Sequence, residues 1–180
     1  MAGFTYRKQL LGGRQSPGLL TRSITGSATV TIGDAVKITS GYLSPCDDGD
    51  PITGIVVGLV DKDGIDLDNT SYSLDGTYTE GGVGVGTYVA AADNVTVKKI
   101  SAQIIIDKDA LFYNDAAGAM TEAEVGTFFD LTDEDQIKDQ GGSATIGAMQ
   151  LWEVDPDNES DMSEGLFAIT ESGRDPYTQD

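Results

Sequence analysis

The chain contains no histidine. That removes Ser–His and Cys–His nucleophile pairs and the usual His-based zinc sites. One cysteine, Cys46, excludes an intrachain disulfide. It stands between Pro45 and Asp47-Asp48, and acidic neighbours disfavour a thiolate, so an activated nucleophile is not expected there. Positive charge is scarce: 11 Lys and Arg face 30 Asp and Glu, a net of −19 at pH 7. This balance opposes nucleic-acid binding, which needs cations facing phosphates, and adsorption to anionic membranes. No apolar run approaches the ~18 residues of a membrane span. No N-terminal segment combines a charged start with a long apolar run, so Sec-type export is not expected.

What is present points to β-structure. The 180 residues are 39% apolar and include 23 Gly, enough for one folded domain with many turns. Ala28–Ile32 alternates in the period of a half-buried strand, Gly33-Asp34 turns, and Ala35–Thr39 returns to Ser40-Gly41. Ile55–Val60 reads as a buried strand, and Ile104–Ile106 as a central one. Further strands are expected within 83–89, 95–99, 110–113, 128–131, 144–154 and 166–169, with a short helix or turn in 116–125. About ten short strands separated by turn signals predict an all-β, single small barrel or sandwich. No βαβ rhythm is visible.

One stretch has an echo. Gly54-Ile-Val-Val-Gly-Leu-Val-Asp-Lys-Asp63 is answered by Gly126-Thr-Phe-Phe-Asp-Leu-Thr-Asp-Glu-Asp135, with Gly, Leu and two Asp coinciding. Gly33-Asp-Ala-Val-Lys-Ile38 precedes the first copy and Lys108-Asp-Ala-Leu-Phe-Tyr113 the second. Two copies are too few for a solenoid, so the echo predicts two related β-layers of one domain.

Charge is unevenly spread. Residues 1–22 hold Arg7, Lys8, Arg14 and Arg22 and no acid, leaving seven basic against 30 acidic residues in the rest. Gly12-Gly13 and Ser16-Pro17-Gly18 break regular structure, while Leu10, Leu11, Leu19 and Leu20 need burial on the body or on a partner. The expected organisation is an extended basic N-terminal arm over 1–23, a β-rich body over 24–170 and a polar tail over 171–180. These eight arm residues are the expected partner-binding set. Such an arm would be dispensable for folding, so that removing residues 1–22 weakens partner binding and leaves the body intact.

Chemistry-bearing motifs are few. Gly81-Gly-Val-Gly-Val-Gly86 lacks the Lys-Ser/Thr of a phosphate loop. Asp61, Asp63, Asp66 and Asp68 form the one metal-like cluster, since carboxylates at alternate positions can converge on calcium if the loop curls. The spacing misses the EF-hand pattern and the echo Asp133-Glu-Asp135 lacks the Gly, so solvated turn acids are the favoured account. No catalytic residues and no cofactor are expected.

With the Gly33-Asp-Ala-Val-Lys-Ile38 entry and the Gly54-Ile-Val-Val-Gly-Leu59 strand in view, the chain resembles tailed-bacteriophage capsid decoration (cement) proteins over about residues 24–170. The resemblance implies a non-enzymatic structural protein, made in the host cytoplasm and placed on the outer surface of the virion. It implies the major capsid protein as partner and a homo-oligomer, with a trimer favoured. The 61–82 excursion and the basic arm depart from that pattern. Two alternatives stay open: another virion part such as a tail or head–tail connector protein, and a calcium- or carbohydrate-binding β module resting on Asp61–Asp68, Tyr72 and Tyr78.

Overall fold

The computed structural model describes residues 3–9, 17–61, 87–89, 100–107, 109–138, 147–156 and 162–170. Two five-stranded antiparallel sheets dominate. One orders β1 (Thr5–Gln9), β9 (Ala110–Asp115), β14 (Glu164–Ile169), β13 (Met149–Val154) and β10 (Phe128–Phe129). The other orders β2 (Leu19–Ser23), β8 (Ile100–Ile105), β6 (Gly54–Asp61), β4 (Ala35–Thr39) and β5 (Tyr42–Pro45). Two small ribbons join them, β3 (Thr29–Thr31) with β7 (Thr87–Val89), and β11 (Leu131–Asp133) with β12 (Gln136–Ile137). Among the described residues one 3₁₀ turn, Glu122–Glu124, is fixed where the Glu124 carboxylate accepts from Thr121 N and Oγ1 at 2.7 and 2.9 Å.

The sheets pack as a sandwich, so the expected all-β class holds and its barrel form does not. Of three buried clusters among the described residues, the two larger explain the layering, and the third holds Leu111, Leu166 and Ala168. Phe112, Phe167, Met149 and Leu151 of the first sheet meet Ala35, Ile55 and Ile105 of the second. The other face of the second sheet encloses Val36, Val56, Leu59, Ala102 and Ile104 together with Ile24, Val30 and Leu43. That sheet is therefore buried on both faces, which is why β6 reads as a continuous apolar run rather than an alternating one. A β-bulge sharpens the point. The β6–β8 register shifts between Val56 and Gly58, so Ile55 and Val57 face one core while Val56 and Leu59 face the other.

The second sheet curls towards closure and stops. Ile24 extends β2, donating to Ile100 O at 3.2 Å, and forms one parallel bridge to Leu43 of β5. Thr25 N donates to Leu43 O at 2.8 Å. Beyond this single junction β2 and β5 diverge, so the sheet stays open.

The echo falls one copy to each layer: 33–61 supplies β4 and β6 of the second sheet, and 110–133 supplies β9 and β10 of the first. The copies are not equivalent within their layers. β4 pairs directly with β6, whereas β14 and β13 stand between β9 and β10. Gly54 permits a close approach to the Ile105 carbonyl, whereas Gly126 turns the chain at φ +89°.

The N-terminal boundary also differs. Residues 5–9 and 19–23, expected as an extended arm, are edge strands of the body, one on each sheet. Phe4 is buried in the main core, and Tyr6 packs edge-to-face on Phe112 with ring centroids 6.3 Å apart. Burying these apolar groups outweighs the entropy kept by a free arm. The strand expected over 95–99 and the tail over 171–180 lie outside the described residues.

Candidate functional site

The structure places the described members of the expected partner-binding set, Arg7, Lys8, Leu19, Leu20 and Arg22, on two rims. On the first sheet, β1 places the Arg7 guanidinium 4.8 Å from the Tyr113 ring centroid. Lys8 Nζ lies 3.3 Å from Glu153 Oε2, an exposed pair worth little in water. Arg7, Lys8, Glu153, Pro156 and Leu166 line a small cleft of about 160 Å³. Nearby on β13, the register shift between Leu151 and Glu153 leaves Trp152 exposed.

On the second sheet, β2 exposes Leu19 to 59% and half-buries Leu20 against the second core. Arg22 lines a groove of about 300 Å³ with Thr21, Ser23, Ser40, Gly41 and Tyr42. Ser40 and Gly41, at φ +52° and +86°, are the turn of the β4–β5 hairpin, where both positions need the left-handed region. Leu10, Leu11 and Arg14 lie outside the described residues, as do Asp63, Asp66 and Asp68; Asp61 is described only as the end of β6, paired with Ile100. Among the described residues no three Asp, Glu or Cys side chains form a group able to hold a metal.

The other basic groups among the described residues are engaged. Lys37 pairs with Asp50 and stands 3.8 Å from Asp47, and the hydrogen bond to the Asp50 carboxylate pushes the ammonium pKa up. Lys138 lies 2.7 Å from Asp48 Oδ2. Among the described Lys and Arg, Arg22 is the one with neither an ion pair nor a ring contact.

A second centre escaped the sequence reading. Asp34 is 4% exposed, and its Oδ2 accepts from Thr31 N at 2.6 Å. Burial pushes its carboxyl up to about 7, against the Thr31 hydrogen bond and with the negative charges of Glu134, Asp135 and Asp133. Asp135 is likewise pushed up to about 6, by burial and by Asp133. This acidic turn is a structural joint. Ala35 N donates to Glu134 O at 2.6 Å, Gly3 N to Asp135 O at 3.2 Å, and Asn114 Nδ2 to Asp135 O at 2.9 Å. Asn114 is buried, and its Oδ1 has no donor among the described residues. Gly33-Asp34 resembles any solvated β-turn in sequence. The signal that could have exposed it is the second acidic run, Asp133-Glu-Asp135, which the echo already drew into view.

The rims and the joint offer contact, charge and hydrogen-bonding edges. No described helix is long and apolar enough to cross a membrane. No family model, no curated protein and no solved structure matches this chain.

Proposed function

We propose that this chain is a structural virion protein that decorates the outside of a tailed-phage capsid, bridging major capsid protein subunits as a homo-oligomer, with a trimer favoured, and without catalysis. The observation that supports this reading most is the pair of N-terminal edge strands, β1 and β2, at the rims of the two sheets. They hold Arg7, Lys8, Leu19 and Arg22 on a rigid β-sandwich rather than on a free tail. Preorganised contact groups bind at lower entropic cost than groups that must order on docking. A shell needs many repeated modest interfaces, and avidity supplies the rest. An acid-rich body adds solubility and attraction to basic partner surfaces.

Co-sedimentation of the purified chain with shells of the major capsid protein from the same genome tests the reading. Saturable binding at a fixed ratio per capsid subunit is expected. Absence of binding to expanded, mature shells would overturn it. Light scattering on the free protein checks the trimer.

A further inference from the structure

We propose that the notch between β2 and β5 receives an extended, otherwise uncharged segment of another polypeptide, added as a strand along β2 with a single carboxylate against Arg22. The backbone sets this up. Ile106 N donates to Gly18 O and Ile24 N to Ile100 O, so the bonded pairs of the β2–β8 ladder fall on even-numbered residues of β2. Leu19, Thr21 and Ser23 therefore turn their N–H and C=O groups outward, away from β8. No hydrogen bond from another described element reaches that edge.

Edge strands of this kind are ordinarily blunted by bulges, prolines or charge. The pairing of β1 with β9 is broken by a register shift between Tyr6 and Lys8. The pairing of β2 with β8 runs unbroken from Leu19↔Ile105 to Ser23↔Ser101, and the strand carries one charge. Its outer side opens into the groove formed with Ser40, Gly41 and Tyr42. The Ile24↔Leu43 bridge closes one end of that groove. At about 300 Å³ the space suits a short length of lone chain, not the edge of a second sheet with its neighbouring strand about 4.8 Å behind.

Charge chooses the occupant. Arg22 lacks an ion pair among the described residues and lies along the groove that Ser40, Gly41 and Tyr42 line from the other side. A guanidinium fork of this kind favours a carboxylate. A second copy of this chain would bring a sheet edge with a strand behind it, which the groove does not admit. A lone strand of a different polypeptide fits the groove and can carry one acid to Arg22. Main-chain bonds would supply affinity and Arg22 the selection.

The test uses the full chain and a short capped Thr peptide with one central Glu, followed by amide chemical shifts. Saturable shifts confined to Leu19–Ser23 and Ser40–Tyr42 are expected. Arg22→Glu should weaken binding roughly tenfold, as loss of a charge-assisted bond implies. Thr21→Pro, which removes an outward donor and keeps Arg22, should weaken it comparably. The spectra of both variants report that the fold is intact. The same peptide with Lys in place of its Glu should not shift Leu19–Ser23. Absence of binding, shifts elsewhere, or equal affinity of Arg22→Glu overturns the proposal. So does self-association through Leu19–Ser23 without peptide, which assigns the edge to a second copy.

Discussion

Asp34 shows how one side chain carries a pH dependence. Its carboxyl titrates near 4 in an unfolded chain and near 7 in the folded one. Below both values the proton is bound in either state. Between them the native state holds the extra proton, so each rise in pH costs stability, and the full penalty persists above the folded value. Asp135, raised to about 6, acts in the same sense. The groups facing Asp34 are Thr31 N on its own turn and the carboxylates of Asp133, Glu134 and Asp135 from the ribbon; no cation opposes them among its principal interactions. The Tm should therefore fall as pH rises towards about 7 and level off above it, and between about 6 and 7 ordinary carboxylates are already ionised. Asp34→Asn keeps an oxygen for Thr31 N and removes the charge. It should flatten the profile and stabilise the protein at pH 8 by on the order of a few kcal/mol. Parallel Tm–pH curves for the two proteins would remove Asp34 from the account.

At the scale of elements, two glycines of similar appearance in sequence separate cleanly. A Cβ at Gly54 would stand 2.5 Å from the Ile105 carbonyl oxygen, backbone of a paired central strand that cannot move aside. A Cβ at Gly41 meets nothing within 4 Å, and only its φ of +86° resists a side chain. Gly41→Ala should cost about 1–2 kcal/mol and Gly54→Ala more than about 3 kcal/mol, read from urea unfolding midpoints. The reverse order would mean that β6 and β8 are spaced differently. The β6 strand was legible because burial on both faces forces a continuous apolar run. The β4–β5 turn was legible because Ser40-Gly41 carries its own conformational signal. β1 was not. Thr-Tyr-Arg-Lys-Gln commits only Tyr6 to the core, and the register shift before Lys8 exposes both Arg7 and Lys8. An edge strand with one half-buried aromatic and a broken alternation looks like a polar tail. The Asp34 joint was hidden for a related reason, since a turn carboxylate is buried only by what a distant ribbon places over it.

For the whole molecule, the two N-terminal strands decide whether body and arm are separable. β1 covers the edge of β9 and β2 covers the edge of β8, so the first strands in the chain close one rim of each sheet. Phe4 is 3% exposed, and its N–H bonds Gly33 O at 2.8 Å, tying the N-terminus to the turn that carries Asp34. Removing residues 1–22 would strip the edges of β8 and β9, open both cores and leave the Asp133–Asp135 turn without its Gly3 contact. The expectation of a dispensable arm is thereby reversed: the truncated chain should lose cooperative unfolding. Phe4→Ala is the gentler probe, because it leaves both ladders in place. It should cost about 3–5 kcal/mol, the usual loss for a buried Phe with little room to collapse. A truncated chain with the wild-type midpoint, or a Phe4→Ala loss below about 1 kcal/mol, would return these residues to the status of an appended arm. Partner binding by such a truncated protein would then measure the arm alone. If folding is lost instead, the contact groups on β1 and β2 can be tested only one side chain at a time, with Arg7, Lys8, Leu19 and Arg22 changed on an intact sandwich.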